Sequence, residues 1–194
     1  NQQKQFISDA SHELKTPLTV IMSNAELLHS SESADESLLQ YSGNILSSSG
    51  QMRHLIEGML ELARADNGQM QTNFETVNFS KLVSDSVLPF EPVFFENDMM
   101  LQYSIAPDIQ VKGSSQYLRQ LTDILLDNAT KYGEKKISVI FDEGKITVSN
   151  DGAVVAKEDL VKVFDRFYQS DKTKEGSGLG LAIAKALCEQ NGWE

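Results

Sequence analysis

The chain lacks several features that decide where a protein works. Cys188 is its only cysteine, so an internal disulfide is impossible and a reducing, cytosolic compartment is expected. No apolar run approaches the roughly 20 residues that cross a bilayer, and no stretch has the pattern of a signal peptide. We therefore expect a soluble chain.

Basic runs are also missing. The formal net charge at pH 7 is −11 over 194 residues. Such a balance argues against nucleic acid or an anionic membrane surface as a partner. It does not exclude a nucleotide, because backbone amides can bind phosphate locally. The length suits two small domains, each with its own core.

Two long helices are predicted in the first third of the chain. Apolar residues recur there at steps of three and four, the spacing of a helix-bundle seam. A polar turn over residues 30–37 makes them a hairpin, and its thin core predicts a homodimeric four-helix bundle through residues 1–66. The seam residues are Ile7, Ala10, Leu14, Leu18, Ile21, Ala25 and Leu28, then Leu38, Tyr41, Ile45, Ser48, Met52, Leu55, Met59 and Leu62.

A histidine and a carboxylate are adjacent on the first of these helices, off the seam. Thr16 follows His12 by four residues and shares nearly the same helical face, while Glu13 is the histidine's neighbour. Pro17 removes a helical hydrogen bond and should kink the helix. By itself this patch is either an ordinary surface histidine on a bent helix or a nucleophile with its partners.

The pattern changes after the hairpin. Asn67-Gly68 stops the second helix, and residues 67–73 form a predicted linker. Residues 74–194 are predicted to form an α/β sandwich with one antiparallel or mixed sheet, so the fold class of the chain is α plus α/β. Strands are expected near residues 76–79, 101–105, 109–111, 136–141 and 145–149. Helices are expected at 80–97, where two prolines should kink or break the helix, and at 115–131 with Leu118, Leu121, Ile124 and Leu125 on one face.

Two stretches of this second domain suit phosphate chemistry. The glycine-rich run at residues 176–181 opens a predicted helix, where free amides meet an anion, although such a run is as often a structural turn. Residues 127–132 lie at another helix end. There Asn128 suits a hard cation, Lys131 a phosphate and Tyr132 a base, but a capped helix end explains the same residues equally well.

Taken together, five motifs in order resemble those of the HisKA-type sensor histidine kinases of two-component systems. The resemblance implies a dimerisation and phosphotransfer domain over residues 1–66 and an ATP-binding domain of the Bergerat, or GHKL, type over residues 74–194. It also implies an active-site lid near residues 169–175 and further strands beyond the last residue. The motifs are the H box (residues 11–18), the N box (127–132), the first glycine box (150–152), the F box (163–168) and the second glycine box (176–181).

The resemblance also implies a role for each site residue. His12 would attack the γ-phosphate of ATP, with Glu13 fixing its tautomer, and Asn128 and Lys131 would hold Mg²⁺ and phosphate. The phosphoryl group would pass to an aspartate of a response regulator, and Glu13 with Thr16 matches the motif by which relatives dephosphorylate that regulator. The remaining nucleotide-binding residues would be Tyr132, Asn150 at the adenine, Gly152, Phe164 anchoring the lid, Gly176, Gly178, Leu179 and Gly180.

Several positions depart from the family's pattern. Asn150 replaces a common aspartate, Val154 a glycine and Ala156 a proline, while Ile124 stands in place of an asparagine and Gln169 in place of an arginine. These changes motivate an alternative, a kinase-impaired, phosphatase-only or scaffold module that binds nucleotide weakly. A third interpretation is a GHKL ATPase unrelated to histidine phosphorylation, against which the H box argues. In the favoured interpretation the chain is the cytoplasmic part of a membrane-bound bacterial receptor, attached through sensor segments that it does not contain.

Overall fold

The structure, a computed structural model, describes residues 18–19, 21–26, 28–29, 36–69, 73–171, 174 and 177–193. The chain divides into two compact units, residues 1–69 and residues 70–194. The first unit is helical in its described part, and the second combines helices with strands.

In the first unit, helix α1 spans Glu36–Asp66, and residues 18–19, 21–26 and 28–29 before it are also helical. The end of α1 follows from the Asn-Gly pair that the sequence places there. Gly68 has a φ of 61°, and its N–H donates to the carbonyl of Ala65 at 2.9 Å. A left-handed glycine of this kind satisfies carbonyls of the last helical turn, so the predicted stop is confirmed.

The predicted seam of α1 is only partly buried. Leu62 is buried, and the buried polar residues earlier in the helix are Ser42 and Ser49. Ser48, which the sequence pattern placed on the seam, is exposed in a single chain, as are the seam residues Ile45 and Met52, so the seam stays a prediction. The Ser42 hydroxyl donates a hydrogen bond to the carbonyl of Leu39 at 2.9 Å. Large apolar side chains at seven-residue spacing remain exposed on α1, namely Leu38, Ile45, Met52 and Met59.

The second unit contains the predicted strands and helices with small shifts at their ends. The predicted helix at residues 80–97 is two helices, because the chain breaks at Leu88 and Pro89, as the prolines suggested. The elements in order are β1 (Glu75–Asn78), α2 (Phe79–Val87), α3 (Phe90–Glu96), β2 (Met100–Ile105), β3 (Gln110–Gly113), α4 (Ser115–Tyr132), β4 (Lys136–Asp142), β5 (Lys145–Asn150), a 3₁₀ turn (Lys162–Phe164) and α5 (Gly180–Asn191).

The strands form two sheets, whereas the sequence predicted one. β1 pairs antiparallel with β3, and β2, β4 and β5 form a separate mixed sheet. In the mixed sheet β2 runs parallel to β4, and β5 returns antiparallel beside β4 through a tight hairpin. A parallel pair needs a long crossover, and β3 with α4 provides it between β2 and β4.

The core of the second unit lies on one face of the mixed sheet. Alternate residues of β4 are buried there, and Phe141 meets Phe79 of α2 edge to face with ring centroids 4.8 Å apart. α4 contributes Leu118, Leu121, Leu126 and Ala129 as buried residues. Ile124 and Leu125 are only partly buried, so the predicted core face of α4 was correct in its first half only.

Candidate functional site

The N-box side chains lie in the last turns of α4. Asn128, Lys131 and Tyr132 are all partly buried there. The Lys131 ammonium nitrogen lies 5.1 Å from the centroid of the Tyr132 ring, a distance at which a cation is attracted to the ring face. The end of α4 therefore presents an amide, a cation and an aromatic ring within one turn.

The first glycine box is in direct contact with this helix end. A Cβ atom at Gly152 would overlap the carbonyl oxygen of Tyr132, so no other residue fits without a shift. Gly133, the residue after α4, packs less tightly on the other side, where a Cβ would lie 3.3 Å from the Cβ of Asn150. The structure thus brings the end of the N box and the first glycine box together, through the backbone of Tyr132 at Gly152 and the Cβ of Asn150 at Gly133.

Asn150 ends β5 and is exposed. Its side-chain oxygen accepts the N–H of Gly152 at 3.0 Å, which closes a local turn. An amide oxygen has two lone pairs, so one acceptor position remains beside the two amide hydrogens. Asn150 can therefore still accept a hydrogen bond from an amino group.

Asp151, between these two residues, is a site residue that the sequence reasoning missed. One carboxylate oxygen accepts the N–H groups of Glu134, Lys135 and Lys136, each at 3.0 Å. The Lys135 bond, then those of Lys136 and Glu134, lower the pKa of Asp151 from 3.8 to about 2. The only local signal was an acidic residue directly after a strand and before a glycine.

The F box and the second glycine box are also joined through the backbone. Phe167 donates its N–H to the carbonyl of Gly178 at 2.9 Å. Both residues have positive φ, 64° for Phe167 and 68° for Gly178. A Cβ at Gly178 would lie 2.7 Å from the carbonyl carbon of Phe167. This contact fixes the two ends of the segment in which the resemblance places the lid.

Three polar side chains, those of Asp159, Lys162 and Tyr168, are hydrogen-bonded to one another around the F box. Lys162 donates to Asp159 at 3.1 Å, and this bond is the largest cause of the lowered pKa of Asp159, followed by a hydrogen bond from Tyr168. Phe164 lies in the same region at the end of the 3₁₀ turn and is exposed. The three polar side chains tie the turn to the end of the F box, and the aromatic ring of Phe164 remains accessible.

Helix α5 begins within the second glycine box. Leu179 is 1 % exposed at this start and donates its own N–H to the Ser177 hydroxyl at 3.3 Å, while its side chain cannot cap the N–H groups of the first turn of α5. A helix start of this kind offers its N–H groups to an anion. A Cβ at the first helical residue, Gly180, would lie 3.5 Å from Ile124, so α5 begins beside α4.

The glycines of these boxes mainly permit packing between motifs. Gly152 and Gly178 both lie against backbone of another motif, where a side chain would clash. That the glycines of residues 176–180 let the backbone approach an anion stays a prediction. The groups available to a phosphate are the amides at the start of α5 and the side chain of Lys131.

Asn128 of α4 is the oxygen donor that the N box offers to a cation. Asn128 follows Ile124 by one helical turn of α4, and the isoleucine offers no oxygen. Within residues 18–193, as far as they are described, no three histidine, cysteine, aspartate or glutamate side chains form a metal-binding group. Mg²⁺ commonly takes one or two protein oxygens and completes its shell with phosphates and water, so the donor set fits a nucleotide-bound Mg²⁺.

Four predicted site residues lie outside the described residues. They are His12, Glu13 and Thr16 of the H box and Gly176 of the second glycine box. The predicted seam residues Ile7, Ala10 and Leu14 and the predicted kink at Pro17 also lie outside them. Among the helices that are described, none is long and apolar enough to cross a membrane.

A helical unit is followed by an α/β unit in which the end of α4 contacts the residues after β5 and the start of α5 lies beside α4, an arrangement in keeping with the GHKL class that the motifs indicated. Residues 2–68 match the family described as "His Kinase A (phospho-acceptor) domain". Residues 113–194 match "Histidine kinase-, DNA gyrase B-, and HSP90-like ATPase". The chain belongs to the HisKA-type sensor histidine kinases, which confirms the family that the five motifs indicated.

Named relatives agree with this assignment. The chain is 34 % identical over 198 residues to the sensor protein DltS of Streptococcus agalactiae, an alignment that covers 97 % of this chain and 49 % of DltS. It is 32 % identical over 203 residues to the sensor histidine kinase YkoH of Bacillus subtilis, covering 100 % of this chain and 44 % of YkoH. The chain spans about half the length of these relatives.

A solved structure has the same fold. Full-length ShkA in complex with AMPPNP superposes with a TM-score of 0.79 at 24 % identity, over 96 % of this chain and 41 % of ShkA. At that identity the likeness concerns the fold, and it supports the α plus α/β class inferred from the sequence.

Proposed function

We propose that this chain is the kinase region of a membrane-bound sensor, organised as a phosphotransfer hairpin (residues 1–66), a linker (67–73) and an ATP-binding domain (74–194). It uses ATP and Mg²⁺ to phosphorylate His12 and passes the phosphoryl group to an aspartate of a response regulator. The observation that carries this proposal is the meeting of the N box with the first glycine box at the end of α4. The AMPPNP bound to ShkA is in keeping with it.

Different residues of the described part of the chain bind different parts of ATP. Asn150 accepts a hydrogen bond from the adenine amino group, and Tyr132 lies against the nucleotide with Lys131 above its ring. Lys131 and the first amides of α5 bind phosphate oxygens, while the oxygen of Asn128 holds Mg²⁺. Mg²⁺, when bound, neutralises charge on the transferring phosphoryl group.

The H box supplies the acceptor. A neutral imidazole has one free lone pair, so His12 attacks through one ring nitrogen while Glu13 accepts a hydrogen bond from the other. Bond formation between His12 and the γ-phosphorus accompanies departure of ADP. In a second activity, dephosphorylation of the response regulator, Thr16 orients the water that hydrolyses the phosphoaspartate, and Glu13 lies next to His12 in the same motif.

Ile124 favours a second candidate function. Its side chain lies beside the start of α5, at a position where an oxygen ligand is expected from the family's pattern. Val154, which replaces a glycine of the first box, is 95 % exposed. A site with one metal ligand fewer suits a phosphatase or scaffold that binds nucleotide weakly.

Labelling with γ-phosphate-labelled ATP and Mg²⁺ distinguishes these functions. We expect the wild-type chain to gain label that is acid-labile and alkali-stable, as phosphohistidine is, and His12→Ala to gain none. Thr16→Ala is the matched control on the same helical face, and it should keep the label while losing regulator phosphatase activity. An unlabelled wild type that binds ATP would favour the second candidate, and a labelled His12→Ala would refute the assignment of the acceptor.

A further inference from the structure

The carboxylate of Asp151 holds a turn that contributes nothing of its own to the predicted site. The turn joins α4 to β4, and three of its consecutive N–H groups, those of Glu134, Lys135 and Lys136, converge on one oxygen of Asp151 at 3.0 Å. The N–H of Asp151 donates in return to the carbonyl of Lys136 at 3.2 Å. An ionised acceptor makes such bonds roughly twice as strong as a neutral one.

The strand pair does not need this cluster to fix its register. β4 and β5 already pair through six residues, from Asp142 opposite Lys145 to Ile137 opposite Asn150. Asp151 lies one residue beyond the last pair, so its hydrogen bonds constrain the chain just past the ladder. That part of the chain forms the contact between the two motifs.

The neighbours of Asp151 on both sides contact the end of the N box. Asn150 lies against Gly133, and Gly152 lies against the carbonyl of Tyr132. If the turn moved away from Asp151, both contacts would open, because Gly133 and Tyr132 directly precede the three donors. The distance between the predicted base contact at Asn150 and the predicted ring at Tyr132 would then vary.

We propose that Asp151 is a positioning residue for nucleotide binding, whose carboxylate fixes the first glycine box against the N box. The proposal rests on the proposed function, in which these two boxes bind ATP. It assigns no contact between Asp151 and the nucleotide. Preorganisation of a site lowers the cost of binding, so the loss of Asp151 acts on affinity for ATP more than on the chemical step.

Three variants of the 194-residue chain test this role. Asp151→Ala removes the acceptor, and Asp151→Asn keeps one carbonyl oxygen without the charge. Asp142→Ala is the matched control, since Asp142 is an exposed aspartate at the other end of the same strand pair that accepts one backbone N–H, from Glu143 at 2.9 Å. For each variant we would measure the Kd of a fluorescent ATP analogue, the kcat and KM for ATP in autophosphorylation, and the Tm.

Asp151→Ala should raise both Kd and KM about tenfold while kcat changes less than about twofold. A tenfold rise in Kd is the size expected when hydrogen bonds to one charged side chain are lost. Asp151→Asn should restore most of the affinity, and Asp142→Ala should match the wild type. A variant Asp151→Ala that lowers Tm but binds ATP like Asp142→Ala would overturn the proposal.

Two further outcomes are also decisive. If Asp151→Ala does not fold, the comparison of Asp151→Asn with Asp142→Ala decides, because loss of the charge alone should still raise Kd measurably, and equal Kd values would overturn the proposal. A wild type that binds no nucleotide would instead refute the proposed function and, with it, the role of Asp151. The two failures are distinguishable because the second appears before any substitution is made.

Discussion

At the scale of single residues, Asp151 couples backbone geometry to the pH dependence of stability. Its pKa in the folded chain is about 2, below the ordinary 3.8, because of hydrogen bonds from Lys135, Lys136 and Glu134 in that order. A folded pKa below the unfolded one means that the ionised carboxylate stabilises the native state above about pH 4. That contribution is lost as the pH falls through about 2.

We therefore expect the Tm of the wild type to fall more between pH 4 and pH 2 than the Tm of Asp151→Asn. Both chains share every other titrating group, so the difference between their melting curves isolates Asp151. Circular dichroism melts at pH 4, 3 and 2 measure it, with Asp142→Ala expected to follow the wild type. Parallel pH profiles for the wild type and Asp151→Asn would contradict the hydrogen-bond account.

The same residue marks a limit of sequence reasoning. Asn128, Lys131 and Gly152 were predicted because their motifs are local, and the structure brings the N box and the first glycine box together. Asp151 was missed because its donors are 15 to 17 positions away in sequence. Their convergence depends on how a turn and a strand end meet, which no local pattern records.

At the scale of elements, the structure uses glycine to join one motif to another. Gly178 has a φ of 68° and lies against the backbone of Phe167, while Gly144, with a φ of 78°, has nothing within 4 Å of where a Cβ would be. Gly178→Ala and Gly144→Ala therefore form a matched pair. Both carry the cost of a left-handed alanine, about 1 to 2 kcal/mol, and only the first adds a clash with backbone.

We expect Gly178→Ala to destabilise the second unit by at least about 1 kcal/mol more than Gly144→Ala, since backbone offers little room to relax. It should also weaken ATP binding, because the contact to Phe167 fixes the start of α5. Urea unfolding followed by the fluorescence of Trp193, the only tryptophan and one that packs against the core of this unit, measures the difference. Equal losses for the two variants would show that the clash is relieved at no cost.

Elements were predicted better than the faces they bury. The β4–β5 hairpin and α4 follow from alternation and capping, and both lie within a residue or two of their predicted bounds. The core face of α4 was misjudged, since Leu126 and Ala129 are buried while Leu125 is partly exposed. The division into two sheets was missed for the same reason, because strand partners and buried faces are set by contacts distant in sequence.

At the scale of the whole molecule, the exposed apolar stripe of α1 argues for a second copy of the chain. Leu38, Ile45, Met52 and Met59 recur every seven residues and stay between 40 and 51 % exposed in a single chain. Ile21 and Leu28, also seven apart, are equally exposed. A stripe with this period is the seam of a bundle, and pairing two hairpins covers it.

Light scattering at micromolar concentration should therefore give twice the mass of one chain. Met52→Lys should shift the protein toward monomer, because each dimer would lose two buried methionines, roughly 1.5 to 3 kcal/mol each, and gain two charges at the seam. Gln51→Lys introduces the same charge at the adjacent exposed position and should leave the dimer intact. A monomeric wild type would contradict the dimer, and equal masses for the two variants would place the interface elsewhere on the helices.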